Sequence, residues 1–205
     1  MHLNIAATKT NLLKVKKSLA LTREGHELLD EKRKILITEL NALVNVTDKL
    51  EKDVGLKLRE AYEVADKTLI TMGRRNALAL GLSTDIKSDI SITQRRVMGV
   101  DVPAITLTMV DNPPYQSPHD VNFYADETRL KFKEVLKLLA ELAEKKIALL
   151  RIAEEAFKTI RKVNALEKIY IPDYEDTFKY ISERLDEGDR ESFSMLKMIK
   201  SRLRG

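Results

Sequence analysis

Histidines, adjacent carboxylates and glycines are the first residues of this 205-residue chain to test for chemistry. His2, His26 and His119 stand far apart, and no two share a spacing that would bring imidazoles onto one metal ion. Cysteine is absent, which excludes disulfides and thiolate metal sites. Glu154-Glu155 and Asp186-Glu187 lie among lysines and arginines, so solvated, salt-bridging helix faces explain them better than general acid–base work. The seven glycines are scattered and build no phosphate-cradling loop. No catalytic residue, metal ligand or cofactor is expected.

What remains is unevenly placed charge. The net charge is only +4, yet residues 1–23 carry Lys9, Lys14, Lys16, Lys17 and Arg23 with no acid. Residues 195–205 carry Lys197, Lys200, Arg202 and Arg204, again with no acid. If the chain folds back on itself, both basic ends meet at one tip, residues near 15 beside residues near 199. These are either solvated helix ends, the last one favoured by the helix dipole, or a surface for an acidic partner.

The elements that must carry these groups are long and helical. Charged residues make up 33% of the chain and aromatics 5%, with no tryptophan, which suits a narrow seam with wide solvated faces. Thr10 is a candidate cap for the first helix. From there Val15, Leu19, Thr22, His26, Leu29, Arg33, Leu36, Leu40, Leu43, Thr47, Leu50 and Val54 step alternately by four and three residues. After Gly55 the pattern slips by one residue to Leu58, Tyr62, Ala65, Leu69 and Met72. Thr22, His26 and Arg33 are polar at seam positions, where they either fix register or contact surrounding protein.

A second repeat runs through Phe132, Val135, Leu139, Leu142, Lys146, Leu149, Ala153, Ala156, Ile160 and Val163, then Leu166 and Tyr170. Pro172 predicts a bend. The repeat resumes at Tyr174, Phe178, Ile181 and Leu185. Gly188 is a weak point before Met195 and Ile199. The two stripes, similar in length, predict an antiparallel two-helix left-handed coiled coil; homodimeric coils remain the alternative.

The middle segment holds four of the five prolines. Residues 89–94 and 105–109 alternate β-branched and polar residues and read as strands. A β-hairpin over 89–110 follows, with Gly99 near its bend, between a short helix at 76–82 and a lead-in from Tyr115 to His119. The fold class is mainly α, a long coil with a small central β-hairpin. It divides as 1–75 first helix, 76–119 middle segment and 120–205 second helix. No apolar run approaches the roughly 20 residues that span a bilayer, and residues 1–4 lack signal-peptide features, so an intracellular protein without membrane insertion is expected.

Three ordered groups of residues resemble a known family. They are Thr8–Lys14 followed by Gly25–Arg33, then Arg96–Pro103, then Lys162–Pro172 followed by Tyr180–Glu187. Together they resemble the D subunit of the vacuolar/archaeal-type (V/A-type) rotary ATPases. The resemblance implies a non-catalytic central rotor shaft, peripheral on the cytoplasmic side of the membrane. It implies as partners the catalytic and non-catalytic ATPase head subunits, the small F subunit of the central stalk and a funnel-shaped subunit above the membrane ring. The basic residues named above are then candidates for contact with the head. Met98, Gly99, Val100 and Pro103 are candidates in a hairpin that caps the coil, docks a neighbouring subunit or regulates hydrolysis. A prefoldin-like coiled-coil chaperone or another scaffold is the rival reading. Nucleic acid is not expected, because the basic tip has no interleaved aromatics or reading motif.

Overall fold

The computed structural model of the chain describes residues 5–83, 86–111 and 122–204. The elements in order are α1 (Lys9–Met72), α2 (Arg74–Ser83), β1 (Ile86–Val97), β2 (Val100–Asp111), α3 (Phe123–Ala165), a π-helical turn (Leu166–Tyr170) and α4 (Ile171–Arg204). The chain forms two compact units, one of Met1–Ile35 with Ala156–Gly205, the other of Leu36–Glu155. The lead-in from Tyr115 to His119 lies outside the described residues, as do His2 and Asn112 to Pro114.

Helix ends follow local chemistry. Thr8, not the expected Thr10, caps α1: its hydroxyl accepts the Asn11 N–H at 3.3 Å and its carbonyl accepts the Leu12 N–H at 2.9 Å. At the other end Gly73 takes φ +78° and donates its N–H to the Leu69 carbonyl at 3.0 Å, a left-handed stop that few residues other than glycine adopt cheaply. Gly81 lies inside α2. Asn122 starts α3 by accepting the Tyr124 N–H at 2.9 Å.

In the unit of Leu36–Glu155, α1 and α3 run antiparallel, as the pairs Lys146–Glu51 and Lys131–Glu60, both at 3.0 Å, require. Thr68 and Thr128 share a hydrogen bond of 2.9 Å, and Tyr62 meets Phe132 edge-on at 5.6 Å. Buried positions on α1 run Thr47, Val54, Ala61, Val64, Thr68, in phase throughout. The expected slip after Gly55 therefore does not occur, and Tyr62 and Leu69 are exposed. The small residues Ala61 and Thr68 hold the seam, so tracking bulky side chains pointed one residue off. A one-residue displacement also appears along α3, which runs on past Glu155 into the other unit. Val135, Leu142 and Ala156 are buried as expected, but Ile152 and Thr159 fill the alternate slots expected of Ala153 and Ile160, and Leu139 is exposed. A seven-residue repeat of this kind winds left-handed.

In the other unit, the first turns of α1 run antiparallel to α4. Arg23 meets Glu175 at 2.5 Å and Lys9 meets Asp189 at 3.7 Å. Val15, Val163, Thr177 and Ile181 are buried. The irregularity expected at Pro172 takes the form of the π turn, in which the Ile171 N–H donates to the Leu166 carbonyl. Widening the helix just before the proline relieves the crowding that its ring imposes on the preceding turn. Tyr170, expected on the seam, is exposed on this turn. Gly188 does not interrupt α4, because a cost of roughly 1 kcal/mol is small beside the bonds of a long helix.

Candidate functional site

The sequence placed both basic ends at one tip, and the structure staggers them. The register set by Arg23–Glu175 and Lys9–Asp189 puts Val15 at the level of Glu183, not of Ile199. Beyond Asp189, α4 has no helical stretch of α1 across from it and continues for about 22 Å at the usual rise. Lys197 thus stands roughly 20 Å along the axis from the level of Lys14. The physical reason is register: the two ion pairs set Lys9, the first residue of α1, opposite Asp189.

This end of α4, which has no helix across from it among the described residues, is both apolar and basic. Phe193 is 71% exposed, and Met195, Leu196, Met198, Ile199 and Leu203 are exposed with it. Met195 and Ile199 were expected on the seam; with no helix opposite, they face out. Lys197, Lys200 and Arg202 alternate with them, and all are exposed. Arg204 ends α4, and its side chain lies outside the described residues. On α1, Lys14, Lys16 and Lys17 are exposed, as is Leu13. Lys9 and Arg23, by contrast, are engaged with α4 carboxylates and serve the pairing of the two helices first.

Polar seam residues cluster in the same unit. Asp30 forms ion pairs with Arg33 and, at 2.8 Å, with Lys34. The Lys34 hydrogen bond, with the charges of Arg33 and Lys34, holds the Asp30 carboxyl below the usual carboxylate range against the opposing effect of burial. Thr22 bonds back to the Ser18 carbonyl at 2.7 Å. His26 is half-buried, and its Nε2 has no hydrogen-bond partner among the described residues. Among the described residues no group of three or more His, Cys, Asp or Glu is arranged to hold a metal ion.

The hairpin lies in the other unit. Met98 and Gly99 form its two-residue bend with φ of 50° and 80°, both left-handed, as a type I′ turn demands. Met98 is exposed, Val100 half-buried and Pro103 buried. Two residues missed from the sequence hold it. The Glu144 carboxylate accepts the Ile105 N–H at 2.9 Å, and Arg151 donates to the Asp101 carbonyl at 2.6 Å. The Ile105 N–H, with Lys145, keeps the Glu144 carboxyl below its ordinary range. Neither residue falls on an expected seam position, so only the fold identifies them.

Comparison with known proteins gives one answer. Residues 11–201 match the family described as the D subunit of ATP synthase. The chain is 37% identical over 204 residues to the D subunit of the A-type ATP synthase of Thermococcus sibiricus, covering 98% of this chain and 95% of the relative. It is 38% identical over 200 residues to the protein of the same name from Methanobrevibacter smithii, covering 96% and 87%. The corresponding protein of Pyrococcus furiosus is 33% identical over 204 residues, covering 98% and 95%.

Proposed function

The chain belongs to the family of ATP synthase D subunits, and on that premise we propose that it is the non-catalytic shaft through which a rotary ATPase couples its head to its membrane sector. As a member of that family it is a central-stalk component of such a machine. The observation that carries the finer reading is the exposed end of α4, where apolar side chains and three basic side chains are presented together. Such an end can sit within a ring of head subunits. The apolar side chains give contact that depends little on direction, and the lysines and arginine meet acidic groups through weak, solvated attractions. Contacts of that strength bias conformations without trapping the rotor.

A shaft of this kind works through asymmetry. One chain facing several chemically identical interfaces touches each differently, and a difference in contact energy is what favours one conformation over another. The partners in this reading are the catalytic and non-catalytic head subunits, the small F subunit of the stalk and the funnel-shaped subunit, with the assembly on the cytoplasmic side of the membrane. No helix among the described residues is long and apolar enough to cross a bilayer. The family match sets the chaperone reading aside. The test is isolation of the native complex by a tag on this chain: recovery with a hexameric ATPase head and a small partner is expected, and recovery alone, or with unfolded client proteins, would refute it.

A further inference from the structure

Packing along α4 stops well before the helix does. Thr177 and Ile181 are fully buried, Leu185 is half-buried, and every residue from Asp186 to Leu203 is exposed. Lys9, the first residue of α1, meets Asp189 at 3.7 Å through two well-exposed side chains. Beyond that pair no helical stretch of α1 lies across from α4. Gly188 stands at this border, inside the helix and with open space around its Cα.

The cost of bending α4 changes sharply at that border. Upstream, a bend would draw Thr177 and Ile181 out of the seam and into water. At Gly188 a bend breaks only a few backbone bonds, which water replaces. Glycine weakens a helix interior and reaches non-helical backbone angles without the penalty of a Cβ. Nearby ion pairs resist little, since exposed pairs are weak. Arg184–Glu187 at 3.1 Å closes before the glycine, and among the described residues no ion pair along α4 bridges it. Few buried contacts and solvent-facing backbone bonds mark a segment that opens independently of its surroundings.

We propose that Gly188 is a joint, at which residues 189–204 bend as one piece relative to the part of α4 that pairs with α1. The straight helix is the resting state and the bent one a minor population in exchange with it. A rigid end would present Met195, Lys197 and Ile199 in one fixed direction. A jointed end lets them follow interfaces whose conformations differ, so contact persists as the shaft turns. That consequence rests on the reading of this end as the part that meets the head; the joint itself does not.

The chain has no cysteine, so pairs of spin labels can be placed on introduced cysteines without interference. Labels at Glu183→Cys and Ser201→Cys straddle Gly188; labels at Lys49→Cys and Lys67→Cys have the same separation within α1, and all four positions are exposed. That separation spans about 27 Å of helix. In the isolated full chain the α1 pair should give one narrow distance. The α4 pair should give a main peak near that value with a tail to shorter distances, and Gly188→Ala should shrink the tail about fivefold. Equal widths for the two pairs would overturn the proposal. So would a tail that Gly188→Ala leaves unchanged, which would assign it to fraying of the last turns. In the assembled complex Gly188→Ala should slow ATP hydrolysis about twofold or more, and unchanged turnover would remove the joint from the working cycle. If the labelled chain fails to isolate with ATPase subunits at all, the proposed function fails, while the distances in the isolated chain still decide the joint.

Discussion

Thr47 is buried in the seam of α1, and its hydroxyl has no hydrogen-bond partner among the described residues. A buried, unpaired hydroxyl costs free energy that an isosteric methyl does not. Thr47→Val should therefore raise stability by about 1 kcal/mol, seen as a higher melting temperature; a lower one would show that the hydroxyl is satisfied. The buried Thr68 and Thr177 differ, since they return bonds to the carbonyls of Val64 and Asp173. Glu144 makes a pH-dependent prediction. Its carboxyl is depressed in the folded chain, so its hold on the hairpin is complete above the unfolded value of 4.5 and is lost as pH falls through the lower folded value. Exchange at the Ile105 amide should accelerate over that acid range beyond its intrinsic trend, and Glu144→Gln should remove the extra acceleration.

At the scale of elements, glycines separate helix from turn. A Cβ added at Gly188, inside α4, meets nothing within 4 Å, and the backbone there is helical. Gly188→Ala should stabilise by about 0.5–1 kcal/mol in thermal or denaturant unfolding. Gly99 also has open space around it, but its φ of +80° is costly for any residue with a Cβ. Gly99→Ala should loosen the hairpin by roughly 1 kcal/mol, measured as faster exchange of the ladder amides. Opposite signs at two equally uncrowded glycines would show that backbone conformation, not crowding, decides each case.

For the whole molecule, the prediction concerns the exposed end of α4. Lys9 and Arg23 are unsuitable probes, because each already pairs with a carboxylate of α4. Reversing Lys197, Lys200 and Arg202 to glutamate leaves every described ion pair between helices intact. Melting of the isolated chain should change by less than about 0.5 kcal/mol, while ATP-driven ion transport per ATP hydrolysed in the assembled complex falls. Unchanged coupling would remove the basic end from the mechanism.

The alternating steps of four and three residues marked the long helices, and alternation by two marked a hairpin with Gly99 near its bend; antiparallel pairing was the expectation, with homodimeric coils as the alternative. Periodicity belongs to the chain itself: it depends on how side chains repeat around a helix or along a strand. Family membership was legible for a related reason, since residues such as Gly25–Arg33 and Arg96–Pro103 keep their order in the sequence. Which member of a neighbouring pair faces inward was not legible at Ala61 beside Tyr62 or Ile152 beside Ala153: the small residue is buried in the first pair and the bulky one in the second, so packing against the facing helix selects, not the size of the side chain. The stagger of the basic ends, the solvent-facing turns beyond Asp189, the exposure of β1 and the bonds of Glu144 and Arg151 to the hairpin were decided only by tertiary structure. Each depends on what lies opposite a residue in space, and the linear order of residues holds no record of that.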